Sequence, residues 1–155
     1  MGVELSGRAL AARLAVAILA SAVSLLLFYY VPSNITQLVR ATGVSSSFVP
    51  PELPALGLAI AAFVFLGFLL RGTGAYGVIL VLLGLLFAVY VYLFFGGGTV
   101  VIEVQPVSAS GASGAIAVNA STLMYILLVA PLLTVVKGLF ILATQREERA
   151  AGGVS

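Results

Sequence analysis

Cysteine, histidine, tryptophan and aspartate are all missing from this 155-residue chain. Without Cys there is no disulfide, no thiolate nucleophile and no lipid-modified cysteine. Without Cys or His, the usual ligand sets for zinc, haem and iron–sulfur clusters cannot be assembled within the chain, so no metal site and no cofactor is expected. Charge is scarce as well. Charged residues make up 8% of the sequence and hydrophobic residues 62%, where a typical soluble domain is about a quarter charged and about half apolar. Too few polar side chains remain to cover a water-facing surface, whereas a surface facing lipid needs no such cover. The seven basic residues give a net charge of +2, and they are scattered rather than clustered, so no nucleic-acid partner is expected. An Ala-, Val-, Leu- and Gly-rich chain free of Cys and His also suits a thermophile.

What the chain does have is apolar sequence in four long runs, at about residues 9–31, 54–70, 76–95 and 123–143. Each matches the roughly 20 residues that a helix needs to cross a hydrocarbon core about 30 Å thick. Backbone polar groups in lipid must satisfy one another, so these runs are expected to be helices. The composition and spacing predict an all-α membrane protein, a four-helix transmembrane bundle in one domain spanning 1–155. Read as a cleaved signal peptide the first run is too long, since apolar sequence continues past Ala20-Ser21-Ala22 to Val31.

Orientation follows from the basic residues. Arg8 and Arg13 lie at the start of the first run, Arg71 in the short link between the second and third, and Lys137, Arg146 and Arg149 at or after the inner half of the fourth; only Arg40 falls on the opposite side. This bias predicts a multi-pass protein of the cell membrane with both termini in the cytoplasm. Tyr29, Tyr30, Tyr92, Phe94, Phe95 and Tyr125 fall near the predicted outer ends of the helices, where amphipathic rings settle at headgroup level.

The links differ. Arg71-Gly72-Thr73-Gly74-Ala75 reads as a tight turn that makes the second and third helices an antiparallel pair. The first external loop, 32–53, is polar early and rich in Ser and Pro later. The second, 96–122, holds two alternating apolar stretches, 99–105 and 115–119, separated by a Ser/Gly-rich segment. They predict a small extracellular β-hairpin between the third and fourth helices. The cytoplasmic tail, 144–155, is polar from Arg146 on and is expected to fray after its first turn.

Few residues offer chemistry. Apart from Arg13 at the start of the first run, Lys137 is the only charged residue inside an apolar run, and such residues are candidate functional sites because charge in lipid is expensive. Thr134 precedes it by three residues, and Pro131 is expected to kink the helix and free a carbonyl near Leu127. The three predict a polar notch in the fourth helix. The simpler reading of Lys137 is that its stem snorkels to the cytoplasmic interface. No acid lies in a helix interior to pair with it, as a proton relay or cation path needs. Small residues recur at four-residue spacing in Ala11/Ala15, Ala17/Ser21, Ala20/Ser24 and Gly57/Ala61, and predict close helix packing. Asn34-Ile35-Thr36 and Asn119-Ala120-Ser121 match the N-glycosylation acceptor pattern on the predicted outer side. The Gly72–Gly77 string has the spacing of a nucleotide-binding loop but follows a membrane helix and lacks the acid further on, so it reads as a turn.

No catalytic constellation emerges, because without His a Ser nucleophile has only Lys137 as its base. The sequence therefore predicts a non-enzymatic membrane protein: an accessory, scaffold or assembly subunit working through helix faces and external loops. Its partners would be the lipid bilayer and other membrane subunits or copies of itself. The alternative is a small oligomeric channel or transporter using Pro131, Thr134 and Lys137.

Overall fold

A computed structural model of the protein describes residues 7–41, 50–104 and 114–152. In chain order the elements are α1 (Gly7–Leu25), a π-helical segment (Leu26–Tyr30), α2 (Val31–Ala41), α3 (Leu53–Leu69), α4 (Tyr76–Phe94), a short turn (Gly96–Gly98), β1 (Thr99–Val104), β2 (Gly114–Asn119) and α5 (Ser121–Gly152). The protein is predominantly helical. Three stretches are long and apolar enough to cross a membrane: Ala9–Ile35, Tyr76–Phe94 and Ser121–Arg146. α3 is equally apolar but shorter, its 17 residues reaching about 25 Å at 1.5 Å per residue. β1 and β2 pair antiparallel from Thr99↔Asn119 to Val104↔Gly114. The connection expected to turn between them falls at 105–113, outside the described residues, as do the Ser-rich part of the first loop at 42–49 and the final residues 153–155.

The helices do not close into the expected bundle. α1 packs on α3, α3 on α4 and α4 on α5, but among the described residues α5 makes no comparable interface with α1. The arrangement is an open row with two outer faces. In water such a row would close to hide its ends. Lipid is as apolar as leucine and imposes no such requirement, so α1 and α5 keep large apolar side chains such as Leu19, Ile126 and Phe140 exposed.

Two helix boundaries also depart from expectation. The first helix does not stop at residue 31 but continues through Pro32 to Ala41, taking the start of the expected loop 32–53. A proline inside an α-helix removes an N–H and collides with the carbonyl four residues back, here that of Phe28. The helix accommodates it by widening: the Val31 N–H reaches the carbonyl of Leu26, five residues back, as a π-helix requires. The Phe28 carbonyl then accepts a hydrogen bond from the Tyr90 hydroxyl of α4, at 3.0 Å. At the other end, α5 does not stop at 143. It runs to Gly152, so most of the expected tail is helical. Gln145 to Ala151 contains good helix formers, and the helix outlasts its apolar sequence.

The Tyr90–Phe28 bond yields a prediction. Tyr90→Phe is expected to cost about 1 kcal/mol, the scale of a hydrogen bond inside a membrane protein. In a Pro32→Ala background the same change is expected to cost much less, because alanine restores the N–H that the Phe28 carbonyl lacks. Detergent-induced unfolding followed by circular dichroism measures both arms of the cycle, and equal costs would refute this account of the π segment.

Leu53, Ile60 and Tyr90, all buried, form an apolar cluster. Phe28 meets Phe87 and Tyr90 edge-on, each with ring centroids 5.2 Å apart. Glycine sets the helix spacings. A Cβ on Gly57 of α3 would overlap the Phe28 carbonyl. A Cβ on Gly138 of α5 would lie 2.8 Å from the Gly77 carbonyl oxygen, and one on Gly77 of α4 would lie 3.0 Å from that of Gly138. α4 and α5 thus touch backbone to backbone. Beyond α4, Gly96, Gly97 and Gly98 all have positive φ, which lets the chain reverse into β1.

Candidate functional site

The expected notch on α5 does not assemble as one site. Residues spaced by three on an α-helix drift about 60° per step, so Pro131 and Lys137 point about 120° apart. Pro131 is fully buried, and its carbonyl lies against Gly84 of α4. The Thr134 hydroxyl donates to the Ala130 carbonyl of its own helix at 3.0 Å. Lys137 is exposed and lines a different cleft.

The depth of Lys137 follows from the glycine contact. Gly138 touches Gly77, the second residue of α4, so Lys137 stands level with the first turn of that helix. It lies at the end of the helical layer and not in its middle. Arg13 and Arg71 stand at the same level. The Arg13 Nη1 donates to the Arg71 carbonyl at 3.4 Å, and Gln145 of α5 reaches the Thr73 carbonyl of the same turn at 3.5 Å. The α3–α4 turn is therefore tied to both outer helices, and three cations from α1, the turn and α5 form one basic end.

Two clefts flank Phe68 at this end. One lies between Arg13 and Arg71, beside Val16. The other, about 300 Å³, has Arg71, Tyr76 and Lys137 at its mouth and Val64, Leu80 and Leu83 along its wall. Among the described residues, neither the Arg71 guanidinium nor the Lys137 ammonium has a hydrogen-bond or ion-pair partner, and no carboxylate lines the cleft.

A third cleft, also about 300 Å³, opens at the opposite end of the layer. Val31 and Pro32 form one bank and Leu127 of α5 the other, over Phe87, Tyr90 and Phe94. Along α4 the residues Tyr76, Leu80, Leu83, Phe87, Tyr90 and Phe94 alternate in spacing between four and three, which is one stripe of a helix. The basic cleft uses the first half of that stripe and the aromatic cleft the second.

The remaining candidates are placed as follows. Ser21 donates to the Ala61 carbonyl at 3.0 Å, with Ala17 and Ala61 buried, so the Ala17/Ser21 and Gly57/Ala61 pairs form the α1–α3 crossing. Ala11 and Ala15 are exposed, and Ser24 donates to the Ala20 carbonyl of its own helix. Asn34 lies within α2, where Nδ2, the atom that carries a glycan, donates to the Tyr30 carbonyl at 2.8 Å. Asn119 ends β2, and its Oδ1 accepts from the N–H and the hydroxyl of Ser121 at 3.0 and 2.6 Å, which starts α5. Sequence reading passed over Gly77, Gly84 and Gly138. The available signal was the seven-residue spacing of Gly77 and Gly84, which puts both on one face of α4.

By the length and composition of its helices, the chain is a helical, multi-pass membrane protein. Comparison with protein-family models, with curated proteins and with solved structures finds no match to it.

Proposed function

We propose that the chain is a non-enzymatic accessory or assembly subunit of a membrane complex. All four apolar helices cross the bilayer, α3 included. The basic end, with the N-terminal start of α1 and the C-terminal end of α5, faces the cytoplasm, and the β1–β2 hairpin lies outside. The observation that carries the reading is the open helix row. Among the described residues the outer faces of α1 and α5 are left uncovered, and the aromatic cleft between the end of the π segment and α5 offers an apolar seat for side chains of another transmembrane helix. Backbone-close packing through Gly77, Gly84 and Gly138 makes α4–α5 a stiff frame for such a surface. The channel alternative has less support, since beyond Lys137 the α4 stripe is apolar or aromatic and offers no polar lining for an ion.

The reading predicts that the protein leaves the membrane in mild detergent as part of a larger complex. Leu127→Trp, which fills the aromatic cleft from its α5 bank, is expected to release the chain from that complex while leaving its own melting temperature nearly unchanged. Size-exclusion chromatography with native mass spectrometry reads both. A wild-type chain that emerges as a lone monomer would overturn the proposal.

A further inference from the structure

The basic cleft is built for an amphipathic ligand. At its mouth stand Arg71 and Lys137, both exposed and both without a partner among the described residues. Tyr76 adds a hydroxyl at the same level. Deeper in, the wall is apolar: Val64, Phe68, Leu80 and Leu83. Anionic and apolar demands are thus stacked along one axis, with the cations at the end of the helical layer. A free inorganic anion would use the mouth and leave the wall empty. A phospholipid uses both.

We propose that this cleft binds one anionic phospholipid, its phosphate held between the Arg71 guanidinium and the Lys137 ammonium and one acyl chain laid along Val64, Phe68, Leu80 and Leu83. Arg offers a planar fork for two phosphate oxygens and Lys a compact charge beside it. The lipid thereby bridges α3, α4 and α5 at the basic end of the row. It also gives Lys137 an anionic partner that no residue of the described chain supplies. The proposal rests on membrane insertion and not on the subunit role.

The chain has no Trp, so Phe68→Trp places a single indole in the cleft wall and Tyr125→Trp places one at the opposite end. The full chain carrying either change is reconstituted in phosphatidylcholine vesicles, and quenching by brominated phosphatidylglycerol is compared with quenching by brominated phosphatidylcholine. For Phe68→Trp, half-maximal quenching is expected at about a thirtyfold lower fraction of the anionic lipid, the preference that two cations at a membrane surface supply. For Tyr125→Trp the two lipids should quench alike. Adding Arg71→Gln with Lys137→Gln is expected to abolish the preference, Lys137→Arg to keep it, and inorganic phosphate at millimolar concentration to leave it unchanged. Equal quenching of Phe68→Trp by both lipids, a preference that survives the double variant, or displacement by phosphate would each overturn the proposal. Loss of quenching at both tryptophan positions with both lipids would refute insertion itself, and so differs from failure of the site alone.

Discussion

Replacing Gly138 by leucine is expected to destabilise the protein by about 3 kcal/mol, the upper range for forcing atoms into a filled interface. The position has no room. A Cβ there would stand 2.8 Å from the Gly77 carbonyl oxygen, 2.9 Å from the Val81 nitrogen and 2.8 Å from a Val81 methyl. Two of these three are backbone atoms, which cannot rotate away as a side chain does. Relief requires α4 and α5 to separate, and with them the Gly84 contact to Pro131 and Val135. Among the described residues the α4–α5 interface is the main one that α5 makes, so little else buffers this loss. Gly67→Ala provides the contrast. Gly67 is also a buried glycine in an apolar helix, but its nearest neighbour would be the Ile79 methyl at 3.7 Å, an ordinary contact. There alanine is expected to be neutral or to stabilise by up to about 1 kcal/mol, from helix propensity alone. Unfolding titrations in mixed detergent measure both, and similar behaviour of the two variants would contradict the packing described.

Gly57→Val is expected to cost about as much, for a reason at the other end of the molecule. The Cβ would overlap the Phe28 carbonyl in the π segment. That carbonyl cannot retreat without breaking its hydrogen bond from Tyr90, which joins the first helix to α4. The substitution therefore pushes on α1, the π segment and the aromatic cluster together. A selective readout is available: chemical shifts or crosslinks reporting Tyr90 and Phe87 should move, whereas those at Gly77 and Gly138 should not. Uniform perturbation of both ends would argue against two separate glycine contacts.

These two glycines show what the sequence alone could and could not convey. The positions of the apolar segments were legible, because spanning length and hydropathy are local properties. α4 begins at Tyr76, and α3 begins one residue before the second apolar run. The continuation past Pro32 was not legible. It depends on a π-helical widening and on a hydroxyl 62 residues away, and no local pattern announces either. Small-residue spacing pointed to four pairs without saying which are used. Ala17/Ser21 and Gly57/Ala61 pack, and Ala11/Ala15 do not, because only the partner helix decides which face is covered. Lys137 was recognised as unusual but grouped with Pro131 and Thr134 by sequence proximity. Its depth became clear only from the Gly77–Gly138 contact, and its neighbours in the cleft, Arg71 and Tyr76, come from the α3–α4 turn and the start of α4. Helical extension to Gly152 was hidden for the opposite reason: the apolar signal ended before the helix did.

Site-directed labelling from one side of the membrane tests the central claim most directly, and the absence of Cys makes every introduced thiol a unique reporter. Gly7, Gln37, Ala75 and Thr99 are all exposed and lie at successive ends of the apolar helices. Each is changed singly to cysteine, and intact cells are treated with a membrane-impermeant maleimide before and after permeabilisation. The account predicts that Gln37→Cys and Thr99→Cys label in intact cells, and that Gly7→Cys and Ala75→Cys label only once the membrane is opened. Labelling of Ala75→Cys from outside would mean that the 17-residue α3 does not cross, and would contradict the four-crossing topology on which the inner basic end and the outer hairpin both depend.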